Sequence, residues 1–174
     1  MENNLPEVWL RGPMEGMPPL LNPIASALIQ VYEELVPLLD SFPEDRLWYR
    51  PFGMASVGFH LNHLTGVLDR LFTYARTEKL SPDQFTFLSL EGIPPDPPIS
   101  VKKLIQNFKD QLDKALNQLK TNLPEELLLE RKIGRLELPS TVIGLYIHAA
   151  EHSTRHFGQL LVTSKLVRSL KEEL

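Results

Sequence analysis

Residues 146–159 read YIHAAEHSTRHFGQ, and the spacing inside this stretch governs how the 174-residue chain is to be understood. His148, His152 and His156 recur at every fourth position. In an α-helix, residues four apart drift by about 40° around the axis and rise about 6 Å, so the three imidazoles stack along one face. The two remaining histidines, His60 and His63, fall together in FHLNHLTG at residues 59–66. All five histidines of the chain are thus confined to two short windows, the kind of convergence a metal site needs.

Outward from these windows the apolar residues follow a helical period. Ser140 or Thr141 can cap a helix that carries the 146–159 stretch near its middle and runs to Leu161 or beyond. Ser56 can cap another, to about Thr77, with Val57, Leu61, Leu64, Leu68, Leu71, Phe72 and Ala75 on its apolar side. His60 and His63 lie in its opening turns. Ser100 heads a third helix, in which Val101, Leu104, Ile105, Phe108, Leu112, Ala115, Leu116 and Leu119 alternate with Lys, Gln and Asp. Asn22 followed by Pro23 resembles an N-cap and a first helical position for the earliest helix, which Pro37 would kink or shorten in its last turn.

The joins are rich in turn residues. Residues 1–21 read as an irregular arm that packs through Trp9 and Leu10. Residues 42–55 form a connection with a turn around Glu44 to Trp48. Ser81 and Pro82 start a short extra helix, and Gly92 to Pro98 form a stiff surface loop. Residues 121–139 read as a helical turn followed by a small hairpin at Gly134. No repeat, low-complexity tract or linker divides the chain, so the expectation is one domain over 1–174. The fold class expected is all-α: an antiparallel up-and-down four-helix bundle with a short extra helix and a small hairpin before the last helix. The core of such a bundle is a usual place for a metal site built from facing side chains.

Composition removes several function classes. Apolar residues make up 43% and charged residues 23% of the chain, values of an ordinary globular protein that can bury a core without disulfides or a structural metal. A net charge of -4, with no cluster of Lys and Arg interleaved with aromatics, argues against nucleic acid as a partner. The absence of cysteine excludes disulfides, thiolate ligands and a cysteine nucleophile. The opening MENNLPEVWLRGP has neither a basic nor an apolar leader region, and no apolar run is long enough to span a bilayer. The expectation is a cytoplasmic protein without a membrane partner.

The chemistry suggested by the histidines is specific. His152 and His156, four apart on one helix, have the geometry by which two imidazoles chelate a divalent ion. A third nitrogen would come from His63 or His60 on the second helix. Three neutral nitrogens with the remaining positions open describe a catalytic site, since structural zinc is closed by four protein ligands. Such an ion can activate water or polarise a substrate oxygen. The zinc-protease pattern HExxH is absent, because Glu151 precedes His152 instead of following a first ligand. The competing reading is a buried imidazole network with no metal, a common use of single histidines on amphipathic helices.

In HLNHLTG followed by EHSTRHFGQLL, the chain resembles the DinB-like superfamily of four-helix-bundle proteins, which includes metal-dependent hydrolases and thiol S-transferases. The resemblance extends from about Pro23 to Leu161, and its specific part is a histidine near the start of the second helix with HxxxHxGQ on the fourth. It implies a divalent ion, nickel or zinc, held by His63, His152 and His156, with His60 and His148 as additional candidates. His148, one turn before His152, is an alternative ligand or a support for one. The nucleophile would be water or a thiol activated at the metal, and small thiols, activated esters and amides become the substrates to try.

A helical wheel adds Gly66, Arg70 and Tyr74 within about 60° of His63, and Gln159 within about 20° of His152. Gly66 would leave room beside the metal. Arg70 could hold an anionic substrate or form a salt bridge, and Gln159 could orient a ligand or hydrogen-bond another helix. Glu151, about 100° from His152, is a candidate for proton transfer at the edge of the site. The resemblance also implies a homodimer, to which the apolar arm would contribute. Two further functional readings stay open: a non-catalytic metal-binding or stress-response protein, and a bundle whose histidines are structural. If the protein is an enzyme, its activity should fall below roughly pH 6, where a free imidazole protonates.

Overall fold

Helix starts are fixed by short polar side chains at the positions expected from sequence. In a computed structural model, which describes residues 5–170, Ser56 Oγ accepts a hydrogen bond from Phe59 N at the head of a helix over Val57–Ala75. Ser100 caps Val101–Thr121 through Lys103 N, and Thr141 caps Val142–Ser169 through Gly144 N. Ser81 and Gln84 form a reciprocal capping box at the head of Pro82–Leu90. With Asn22–Leu38, these are α1 (Asn22–Leu38), α2 (Val57–Ala75), α3 (Pro82–Leu90), α4 (Val101–Thr121) and α5 (Val142–Ser169).

One cap differs from expectation. Asn22 is the first residue of α1, Leu21 precedes it as the capping position, and no side chain caps the helix. The Asn22 amide is engaged elsewhere: its Oδ1 accepts from Met14 N at 2.8 Å and ties down the N-terminal arm. Pro23 sits in the first turn, where its missing N–H costs nothing, and Pro37 lies in the last turn just before the helix ends.

The 121–139 segment forms a 3-10 turn over Pro124–Glu126 and an antiparallel hairpin of β1 (Glu130–Ile133) and β2 (Leu138–Thr141). Gly134 turns the chain with a φ of 67°, a left-handed value that suits glycine. Arg131 Nε donates to Ala75 O at 2.7 Å, so the hairpin satisfies a carbonyl at the C-terminal end of α2.

α1 and α2 each pack against both α4 and α5, while α3 lies mainly on α2. Among the described residues the fold is mostly helical with one two-stranded sheet. Leu28, Leu35, Leu61, Leu64, Leu68, Leu104 and Phe108 are fully buried between the four long helices. Burial of such side chains is the main favourable term, at about 1.5–3 kcal/mol each before conformational entropy is counted. Tyr146 is also fully buried, its ring 4.8 Å from that of Phe72 and its hydroxyl accepting from Gln118 Nε2 at 3.0 Å.

Two local contacts set the entry to α2. Gly58 N donates to Leu47 O at 2.8 Å, and Trp48 lies so close that a Cβ at Gly58 would meet its indole at 2.8 Å. The arm is anchored by Val8, Met17 and Leu21. The expectation that it packs through Trp9 and Leu10 is not met: both are exposed, and Val8 turns inward instead. The first four residues of the expected arm lie outside the described residues. No helix among the described residues is long and apolar enough to cross a membrane.

Candidate metal centre

The site forms where the opening turns of α2 meet the middle of α5. His60 and His63 are three apart on α2, which puts both on one face, and the His148–His152–His156 row runs along α5. Packing brings His63 Nε2 to 2.9 Å from His152 Nε2, and the rings of His63 and His156 to 4.3 Å between centroids. One nitrogen from each of His63, His152 and His156 lies within 4.8 Å of the others. Phe59 stacks on His63 at 5.2 Å and limits its rotation.

Each of the three imidazoles has its second nitrogen engaged. His63 Nδ1 lies 2.7 Å from Glu91 Oε2, so it donates to the carboxylate and leaves the Nε2 lone pair facing inward. His156 Nδ1 lies 3.2 Å from Nδ1 of His60, which leaves Nε2 of His156 for the cluster. His152 Nδ1 lies 3.0 Å from Arg155 Nη2. Arginine can only donate, so this nitrogen is an acceptor and the hydrogen of His152 is on Nε2, directed to His63. His63 is thus preset as a donor for a metal, and His152 reaches the ligating form by moving one hydrogen.

The donor set fits a divalent ion. Two nitrogens at about 2.05 Å from a tetrahedral ion stand about 3.3 Å apart, close to the 2.9 Å between His63 Nε2 and His152 Nε2. Protonation is resisted as well. Burial, reinforced by the neighbouring imidazoles, pushes His60, His152 and His156 down from 6.5 to about 4. These three rings are neutral at pH 7, the state in which imidazole binds metal.

Glu91 is the residue that sequence reasoning missed. It follows the last residue of α3 and is 3% exposed. Its Oε2 meets His63 and its Oε1 accepts from Arg70 Nη1 at 2.6 Å, so a buried carboxylate is shared between an imidazole and a guanidinium. One signal pointed toward it: Arg70 lies on the His63 face, two turns on, and a buried guanidinium requires an anion. Arg70 is therefore used in a salt bridge. The space attributed to Gly66 is also taken, since a Cβ there would collide with the Glu91 carboxylate, the Arg70 guanidinium and Phe87. Gly66 makes room for the carboxylate that orients His63, and not for a metal.

The remaining sequence candidates are distributed as follows. His60 is 3% exposed and sits beneath His156. His148 is outside the triad and exposed, its ring 5.2 Å from that of His152. Glu151 is exposed beside it and paired with Arg155. Tyr74 packs against the apolar core, and Gln159 is exposed on α5.

A family model described as the DinB superfamily matches residues 27–160, a span that contains both histidine windows and Glu91. No curated protein matches the chain.

Proposed function

The chain belongs to the DinB superfamily, and on that premise we propose that it is a metal-dependent enzyme, a hydrolase or thiol S-transferase acting on a small molecule. The observation that carries this reading is the convergence of His63, His152 and His156, with ligand nitrogens within 4.8 Å of one another. We read the four long helices as an antiparallel up-and-down bundle forming a single cytoplasmic domain, with the site on the α2–α5 seam. A divalent ion held there, nickel or zinc, would supply Lewis acidity for water, a thiol or a substrate oxygen.

The protein's own residues then have separate tasks. Glu91 orients His63 and makes it a better donor, and Arg70 holds the Glu91 carboxylate in place from its other oxygen. His60 fixes the ring of His156 from behind. Glu151, at the exposed edge of His152, is placed to exchange a proton with solvent once Arg155 turns away. Among the described residues no other carboxylate is placed as a base, which favours a nucleophile activated by the metal itself.

The same observation gives weight to a second reading, a non-catalytic metal-binding or stress-response protein, because a triad can hold an ion without turnover. Metal analysis of protein purified without a histidine tag, together with ester, amide and thiol-transfer assays with and without added metal, separates the two. Stoichiometric metal with metal-dependent turnover is the expected result. Metal without turnover leaves the second reading, and protein that binds no divalent ion under any condition overturns both.

A further inference from the structure

On the solvent side of His152 lies a second group of donors. His148, Glu151 and His152, at i, i+3 and i+4 of α5, share one helical face, and a ligand atom from each lies within 4.8 Å of the others. His148 Nδ1 is 3.3 Å from Glu151 Oε2, and both side chains are about half exposed. Two imidazole nitrogens and one carboxylate oxygen are a donor set suited to zinc, nickel or copper(II).

A cationic group already occupies this place. Arg155 Nη2 lies 3.0 Å from Glu151 Oε1 and 3.0 Å from His152 Nδ1, bridging two of the three donors. Because the guanidinium only donates, it holds His152 with a lone pair on Nδ1, pointed outward. The side chain is long and half exposed, so it can leave without disturbing the core.

We propose that His148, Glu151 and Nδ1 of His152 form a second divalent-cation site, outside the triad, in which the ion takes the place of the Arg155 guanidinium. The two positions share His152 through opposite nitrogens. A neutral imidazole has one lone pair, so an ion outside keeps hydrogen on Nε2, facing His63, whereas an ion inside requires hydrogen on Nδ1. Occupation of one position therefore opposes occupation of the other. This antagonism rests on the metal reading of the triad, but the outer site itself does not.

The test removes the inner site and leaves the outer one. In a His63→Ala/His156→Ala background, titration with zinc or copper(II) alone should show one bound ion. Adding His148→Ala or Glu151→Gln should weaken it at least tenfold, and adding Arg155→Gln should tighten it several-fold. His148 and Glu151 are exposed, so the single variants in the wild-type background provide the same readout, by copper(II) spectroscopy, if the background fails to fold. No ion in the double variant, or an ion indifferent to His148→Ala, overturns the outer site while leaving the triad reading intact. A wild-type ion that survives His63→Ala/His156→Ala but is lost with His148→Ala supports the outer site and sinks the triad instead.

Discussion

The seam between α2 and α5 has two halves of opposite character. Toward the start of α5, Phe72 and Tyr146 meet in a dry contact whose one polar group, the Tyr146 hydroxyl, is satisfied by Gln118. Farther along α5, the same two helices meet through His60, His63, His152 and His156, with the Glu91–Arg70 pair behind them. The first half gains stability by removing apolar surface from water. The second half keeps neutral imidazoles and a buried carboxylate next to one another, an arrangement that gains little for folding and is poised for a cation. Apolar packing and the candidate metal centre are thus separated along one interface.

The separation is most severely tested by replacing His152 and His156 together with Ala. We expect loss of essentially all triad-bound metal, measured by elemental analysis, with the helical circular dichroism largely retained. A stoichiometric ion remaining at the triad would show that this half of the seam is not a metal site. The converse change, Phe72→Ala, should cost about 3–5 kcal/mol in urea unfolding, as emptied aromatic sites do, while the folded protein still binds one ion per triad. If metal affinity fell in parallel with stability, the two halves would be one unit.

Glu91→Gln sharpens the contrast within the chemical half. The shape is kept and the charge removed, so metal affinity should fall about 10–100-fold with turnover reduced alongside, whereas a purely structural Glu91 would change unfolding and leave affinity alone.

Acid should act on the histidine half only. His60, His152 and His156 are held at about 4 against 6.5 for a free imidazole. As pH falls, the unfolded chain takes up protons first, so the stability of the metal-free protein is fully present above about 6.5 and is lost between there and about 4. The same displacement lowers the pH of metal release below the value near 6 expected of free imidazole. Melting temperatures of metal-free protein across this range, and metal retained after dialysis, check both, and a flat stability profile would refute the first.

The smallest effect concerns the arm. Trp9 and Leu10 are exposed, and we expect them to be covered in a homodimer that light scattering would detect; a mass near that of one chain at every concentration would count against it.

What the sequence revealed follows from how local each signal is. Ser56, Ser81, Ser100 and Thr141 cap helices within three residues of themselves, and Gly134 turns a hairpin whose strands adjoin it, so these were legible from neighbours alone. The i, i+4 row on α5 is local in the same sense. Glu91 was not legible, because its meeting with His63 depends on how α3 lies on α2, and its bonding partners sit 28 and 21 residues away in sequence. Gly66 was misread for the same reason, its empty side being filled by residues of α3. Asn22 was misread because a side chain able to cap a helix can equally accept from a backbone N–H outside it, and here Met14 supplies that donor.

The indole of Trp48 lies against Gly58, two residues before His60, whereas Trp9 stands in solvent at 63% exposure. The chain therefore carries its own pair of optical reporters. Acrylamide should quench Trp9 first and leave an emission dominated by Trp48, whose environment is tied to the first turn of α2. Zinc, which has no absorption of its own in that region, could then be followed as it loads the histidines by a change in Trp48 fluorescence, without any label.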